Sequence, residues 1–183
     1  MTTSFNLKAS LVVAALLSCS AAQAVTISKA EYKAGKTRIS ADYKAAKAAC
    51  AAFAANAKDI CVEEAKAKEK VARAELEYRY SGKAADQTKV LVVKAKSAYA
   101  VAKEKCDDKA GNDKSVCVKE AKAVETNALA DAKMGKKIGE AKREATEDKL
   151  DANYKVAVEK CDAMAGDAKT SCVTAAKAKF GKN

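Results

Sequence analysis

The sequence predicts an all-α protein: long helices arranged as three repeated antiparallel hairpins, each closed by a disulfide and together preceded by a signal peptide. Three observations support this fold class. The 183 residues include no Pro and are rich in Ala, Lys and Glu, which are strong helix formers. A pair of cysteines with ten residues between them recurs three times, and the amino-terminal segment has the pattern of an export signal.

Residues 1–24 have the pattern of a cleavable signal peptide. An apolar run from Ala9 to Leu17 is followed by Ala22-Gln23-Ala24, the small-x-small pattern after which signal peptidase cuts. The run is about half as long as the roughly 20 residues that a membrane span needs. We therefore expect a periplasmic mature chain that begins at Val25 and has no transmembrane span. The alternative is a lipoprotein, with Cys19 as its lipidated first residue.

Cleavage there removes one of the seven cysteines, and an even number of cysteines in an exported chain indicates disulfides. The other six form three Cys-x10-Cys pairs, which recur at intervals of 56 and 55 residues. A Tyr lies seven residues before the first Cys of each pair, a spacing that places both side chains on one packed stripe of a helix. The pairs are Cys50 and Cys61, Cys106 and Cys117, and Cys161 and Cys172; the tyrosines are Tyr43, Tyr99 and Tyr154.

The residues between the paired cysteines predict that the chain reverses there. In a continuous helix, residues eleven apart are separated by about 16 Å along the axis, whereas the Cα atoms of a disulfide approach to about 5.5 Å. Gly111-Asn112 and Gly166-Asp167 favour a helix end followed by a helix start, because Gly suits the left-handed position and Asn or Asp the N-cap. Asn56 is expected to cap the second helix of the first hairpin, where Ala55 replaces the Gly.

Each Cys is therefore predicted to bond with the partner in its own hairpin. A bridge around about 12 residues removes roughly 3 kcal/mol of unfolded-chain entropy, which compensates for the little apolar area that Ala-rich helices bury. Crossed pairs between hairpins are the alternative pairing. Zinc and cluster sites need closer Cys spacing and reduced thiolates, so we predict no metal ligands and no cofactor.

The joints between the hairpins are predicted at Ser81-Gly82 and at Gly135 to Gly139, since glycine clusters end helices. The second joint has an alternative. Two Gly inside a helix cost only about 2 kcal/mol. The alternative is therefore one continuous helix over residues 113–165. The predicted hairpin repeats are residues 25–82, 83–139 and 140–183.

The repeat from Lys29 to Phe180 resembles small, uncharacterised exported proteins of proteobacteria that are rich in Ala and Lys and carry Cys-x10-Cys repeats. These are often labelled TolA-like or cell envelope biogenesis proteins. The resemblance rests on the paired cysteines, on the leads Ala-Asp-Tyr-Lys at residues 41–44 and Ala-Asn-Tyr-Lys at residues 152–155, and on Ala-Lys-Ala after each second Cys. It implies a cell-envelope setting but no particular role in the Tol system, since TolA itself is a weaker match.

The composition argues against an enzyme. With no His, the chain lacks the commonest general base and cannot form a Ser-His-Asp triad. Neither a Gly-x4-Gly-Lys phosphate loop nor a Cys-x2-Cys redox motif occurs. The paired acids Asp107-Asp108 and Glu147-Asp148 are neighbours on helices, where adjacent side chains point apart, and they predict solvated faces. No catalytic or cofactor-binding residue is predicted.

The predicted function is that of a non-enzymatic periplasmic scaffold or spacer whose partner is an unknown envelope protein. The alternative is a basic module that binds anionic envelope components such as lipopolysaccharide or acidic phospholipid. Lys and Arg number 35 against 24 Asp and Glu, and the surplus lies in the first two repeats, at +4 and +5 against +1 in the third. Nucleic acid is not an expected partner, because no aromatic stacking residues accompany the basic stretches. The oligomeric state does not follow from these patterns.

Overall fold

The computed structural model describes residues 26–182, so the predicted signal peptide and Cys19 lie outside the described residues. Within that range the chain forms five α-helices and one 3-10 turn, with no β-strand, which confirms the all-α fold class. The helices are α1 (Lys29–Ala49), α2 (Ala55–Ser81), α3 (Ala84–Cys106), α4 (Gly111–Cys161) and α5 (Gly166–Phe180), and the 3-10 turn is Cys50–Ala52.

Each helix packs only against its neighbours in the sequence. Within residues 26–182, α1 contacts α2, α2 contacts α3, α3 contacts α4, and α4 contacts α5. The five helices therefore form a row of antiparallel neighbours and not a closed bundle. Because the bridge from Cys106 to Cys117 joins α3 to the start of α4 and that from Cys161 to Cys172 joins α5 to its end, two hairpins share α4.

The open end of the first hairpin is held by a capping box and a left-handed glycine. Ser28 Oγ accepts the N–H of Glu31 at 3.2 Å, and the Glu31 carboxylate accepts the N–H of Ser28 at 2.8 Å. The backbone hydrogen bond from Ser28, followed by its side-chain bond, lowers the pKa of Glu31. The N–H of Ile27 donates to the Arg79 carbonyl at 3.1 Å, and Gly82, with φ 65°, turns the chain into α3.

The helix α4 runs through both glycines of the predicted second joint. It spans 51 residues with no break at Gly135 or Gly139, so the alternative of one continuous helix is the one observed. Each Gly costs a helix about 1 kcal/mol. A break would instead leave unsatisfied amide and carbonyl groups at two new helix ends. No turn therefore separates residues 83–139 from residues 140–183.

The three disulfide-closed turns share one backbone conformation. The fifth residue after the first Cys has a positive φ in each turn: 47° at Ala55, 52° at Gly111 and 56° at Gly166. Gly adopts this left-handed region freely, whereas it costs an L-residue about 1 kcal/mol. The two glycines therefore lie where the sequence predicts left-handed residues, and Ala55 adopts the same conformation under strain.

The predicted side-chain caps of these turns are wrong. The helices α2, α4 and α5 each begin after an extended Ala, without a hydrogen bond from a capping side chain, so Asn112 and Asp167 are not N-caps. Asn56 instead donates its amide to the Glu104 carbonyl at 3.1 Å and to the Asp108 carboxylate at 2.7 Å. It joins the first turn to the second, a contact that the spacing within one hairpin cannot reveal.

Glycine-to-alanine substitutions have opposite effects at turn and helix positions. We expect Gly111→Ala to destabilise the protein by about 1 kcal/mol, because Ala must adopt a positive φ there. We expect Gly135→Ala to stabilise it by up to about 1 kcal/mol, because an added Cβ meets no atom within 4 Å and Ala favours helix. Urea unfolding followed by circular dichroism measures both. Effects of the same sign would contradict the left-handed turn.

The hydrophobic core is thin. No residue of α1 is buried, and Tyr43, Tyr99 and Tyr154 of the predicted stripe are half-buried. The buried residue Leu76 packs against Gly35, where an added Cβ would lie 2.7 Å from Leu76 Cδ1. The buried hydrophobic residues are mostly Ala and Cys: Cys50, Ala65, Ala74, Leu76, Val90, Ala95, Cys106, Ala132, Cys161 and Ala176.

Candidate functional site

The disulfides in the structure are the three predicted within the hairpins, and each ties two consecutive helices at their turn. The first Cys of each pair is only 1% exposed. Because each of these six sulfurs is bonded to the partner in its own hairpin, the crossed pairing is wrong and none of these cysteines is a thiolate. The Cα atoms lie 5.6 Å apart in the pair Cys50 and Cys61, and 5.7 Å apart in the pairs Cys106 and Cys117, and Cys161 and Cys172.

A repeated ion pair crosses the second and third turns. Lys114 Nζ lies 2.9 Å from the Asp107 carboxylate, and Lys169 Nζ lies 3.0 Å from that of Asp162. In both repeats the Asp directly follows the first Cys, a pattern visible in the sequence, whereas the first repeat has Ala51 there. Exposed pairs of this kind contribute about 0 to 1 kcal/mol, so they orient the turn and do not form a ligand site.

A basic groove with a volume of about 480 Å³ lies between α1, α2 and α3. Its apolar lining includes Ala74, Leu76 and Val93, and its only acidic lining residue among the described residues is Glu77. Five cationic side chains also line it, against this single acid. They are Lys36, Lys70, Arg73, Lys89 and Lys96.

Tyr32 connects two walls of the basic groove. Its hydroxyl donates to the Glu77 carboxylate, and this hydrogen bond raises the pKa of Tyr32. The ring stacks on Tyr80 with the centroids 4.4 Å apart, and Lys36 Nζ lies 4.7 Å from its centroid. The Glu77 carboxylate, which is the acid of the groove, therefore accepts a hydrogen bond from Tyr32 and pairs with none of the groove lysines.

The cations of the basic groove differ in whether an acidic side chain forms an ion pair with them. Arg73 forms an ion pair with Glu69 at 2.7 Å. By contrast, the ion pairs of residues 26–182 include none with Lys70, Lys89 or Lys96. These three lysines leave the groove with a positive charge that its own acid does not balance, so the groove attracts anions.

The groove forms because α2 and α3 meet in a fixed antiparallel register. Glu75 pairs with Lys94 at 2.6 Å, and Glu64 pairs with Lys105 at 2.8 Å, both between these two helices. Sequence patterns predicted the positive surplus of the first two repeats but not the groove. The cations come from three helices, and their meeting depends on a register that no single repeat encodes.

Comparison of the chain with protein-family models, with curated proteins and with solved structures gives no match. The resemblance to TolA-like envelope proteins therefore stays a prediction, and the groove is interpreted from its own geometry. Of the helices between residues 26 and 182, none combines the length and the apolarity that crossing a membrane requires.

Proposed function

We propose that the protein is a non-enzymatic, disulfide-braced helical spacer or scaffold of the bacterial periplasm. The observation that carries this proposal is α4, whose 51 residues span about 75 Å at a rise of about 1.5 Å per residue. One hairpin lies at its start and another at its end. Between them, every residue from 133 to 153 is exposed, and past the start of α3, which lies beside Gly139 and Arg143, a single helix joins the two folded ends.

The disulfides support the proposed compartment. Disulfides persist in oxidising compartments such as the periplasm, and here three of them close the turns of a protein with a thin core. A fold that depends on such bridges suits an exported chain, in agreement with the signal peptide predicted at residues 1–24. The proposed partners are envelope proteins that contact the two ends of α4.

Photocrosslinking in intact cells tests the spacer function. We expect a photoreactive amino acid at Val124, 66% exposed near the first end, to capture one envelope protein, and one at Met164, 48% exposed in the last turn, to capture another. The same group at the exposed Thr146, midway along the uncovered helix, is the control and should capture neither. An identical partner at all three positions would contradict a spacer.

The basic groove supports a second candidate function, the binding of an anionic envelope component. Phosphate groups of lipopolysaccharide or of acidic phospholipids suit its uncompensated lysines, and the lining of Ala74, Leu76 and Val93 suits apolar parts of such molecules. Attraction by lysines that reach solvent weakens as salt rises, since screening acts beyond about 8 Å at physiological ionic strength.

Sedimentation with liposomes that contain phosphatidylglycerol tests this groove. We expect the triple change Lys70→Gln, Lys89→Gln and Lys96→Gln to weaken binding on the order of 100-fold at low salt, at about 1 kcal/mol per lysine near an anionic surface. The matched control changes three exposed lysines of α1 outside the groove. Equal loss in both variants would show that net charge and not the groove attracts the liposomes. The control lysines are Lys33, Lys44 and Lys47.

A further inference from the structure

The two halves of α4 repeat the charged residues that join α2 to α3. Glu75 pairs with Lys94 and Glu64 pairs with Lys105 between those helices. When α2 is shifted by 56 residues and α3 by 55, the intervals between the cysteine pairs, α2 falls on residues 111–137 and α3 on residues 139–161. Both ion pairs then have an equivalent of the same charges, and none of its four members is in an ion pair of residues 26–182. The equivalents are Asp131 with Lys149, and Glu120 with Lys160.

The residues of α4 that correspond to the contact between α2 and α3 are exposed. Ala74 and Ser97 are buried where α2 and α3 meet, at 7% and 5% exposure. Their equivalents Ala130 and Ala152 are exposed. At about 100° per residue, both lie within about 20° of the side opposite Ala132, which is buried where α3 packs on α4. The contact surface of each half therefore lies on one side of the straight helix, without a partner there.

Larger apolar side chains lie along the same side of α4. Met134 is 56% exposed and Val156 is 54% exposed, at about 200° and 240° around the helix from Ala132. Among the described helices only α3 and α5 contact α4, and Cys161, whose disulfide holds α5, lies about 20° from Ala132. Both helices that pack on α4 are therefore on its other side.

Two glycines lie where the halves of α4 meet. An added Cβ at Gly135 or Gly139 meets no atom within 4 Å, so close packing does not require glycine there in the straight helix. The shift by 56 residues places Gly82, which ends α2 with φ 65°, on Ile138, beside Gly139. Ala84, the first residue of α3, lines a cavity together with Gly139, so the support that α3 gives to α4 ends at this point.

From these observations we propose that α4 is a hinge: the chain reverses within residues 135–139, and residues 140–161 then pack along residues 111–134 as α3 packs along α2. One antiparallel register uses both the charges and the apolar side chains. The register that pairs Asp131 with Lys149 also sets Ala123 beside Val156, whose equivalents in α2 and α3 line one groove. Closure brings the disulfide-closed turns at the two ends of α4 side by side.

Two effects set the balance between the straight and the closed form. Residues 133–143 carry five cations and one acid, and the repulsion of these cations at the turn favours the straight helix. Against this, the partner of each half is joined to it by a turn of a few residues, so its effective concentration is in the millimolar range. This advantage is why the partner of each half is the other half of the same chain and not a second copy.

Spin labels at Lys119 and Lys155 test the hinge in the purified, oxidised mature chain. Both residues are exposed and lie on one side of α4, 36 residues apart, which is about 54 Å in the straight helix. Closure leaves the two helix axes about 8 to 10 Å apart and brings the labels within about 25 Å. Labels attached to a genetically encoded keto amino acid leave the disulfides intact. We expect double electron–electron resonance to show both distances.

Variants should change the ratio of the short to the long distance. Gly135→Ala with Gly139→Ala should lower it on the order of 10-fold, because Ala favours the straight helix and disfavours a left-handed turn. Lys149→Glu should lower it about 3-fold, and adding Asp131→Lys should restore it, because the exchanged charges pair again. The control Lys33→Glu on α1 should leave it unchanged, and circular dichroism should show each variant as helical as the wild type.

Three results would overturn the hinge. They are a wild type with only the distance near 54 Å, a short distance that the glycine variant leaves unchanged, and a short distance that disappears when labelled protein is diluted with unlabelled protein. The last result would assign the contact to an exchange between two copies. The measurement needs no envelope partner, so its failure and the failure of the spacer function are separate outcomes.

Discussion

Reduction of the three disulfides is expected to lower the melting temperature of the protein by about 20 °C or more. Each bridge closes a loop of about 12 residues and stabilises the fold by roughly 3 kcal/mol, so the three together supply about 9 kcal/mol. Few large side chains replace that contribution, since most buried residues are Ala or Cys. Circular dichroism of the oxidised protein and of the reduced, alkylated protein measures the difference.

Removal of a single disulfide should reduce stability mainly in the helices that this disulfide joins. We expect the change of Cys161 and Cys172 to Ser to expose mainly α5 to hydrogen exchange, because among the described helices α5 contacts only α4. The same change of Cys106 and Cys117 should expose both α3 and the first part of α4. A melting curve that is unchanged by reduction would show that packing holds the hairpins without their bridges.

The substitution Leu76→Ala is expected to destabilise the protein by about 3 kcal/mol. Leu76 is 7% exposed and fills the space that Gly35 leaves on α1, so its removal creates a cavity between α1 and α2. The matched control is Leu91→Ala on α3, which is 49% exposed and should cost no more than about 0.5 kcal/mol. Urea unfolding of the oxidised variants compares the two, and equal losses would contradict the packing of Leu76.

A second substitution isolates this contact. Gly35→Ala places a Cβ 2.7 Å from Leu76 Cδ1 and should destabilise the wild type through overpacking, in spite of the better helix propensity of Ala. In the Leu76→Ala background the three Leu76 atoms nearest to the added Cβ are removed, and the same change should stabilise. The difference between the two effects is the coupling energy of the pair, and additive effects would show that the two residues do not press on each other.

The fold class and the disulfide pairing followed from the sequence because both depend on local information. Cysteines eleven residues apart can meet only if the chain reverses between them. The course of α4 through Gly135 was less certain, because a helix and a joint there differ by only about 2 kcal/mol. At that margin, the composition of the segment does not decide between them.

The contacts between different hairpins, which the sequence did not predict, depend on the register between helices. Asn56 contacts Glu104 and Asp108 of the next hairpin, although its position beside a turn suggests a cap. The cations of the basic groove lie on three helices that meet only after α2 and α3 align. Contacts within one repeat are visible as spacing, whereas contacts between repeats require the three-dimensional arrangement.

The arrangement of the disulfides also bears on the order of events in oxidative folding. When the chain appears amino terminus first, Cys61 follows Cys50 after eleven residues, whereas Cys106 follows Cys61 only after 45 more. A loop of about 10 residues closes in about 10 to 100 ns, far faster than a chain emerges at about 5 to 20 residues per second. The two thiols of each pair therefore meet before the next pair appears, about 2 to 9 s later, and an oxidant that removes their two electrons within that time joins them without competition from the following repeats.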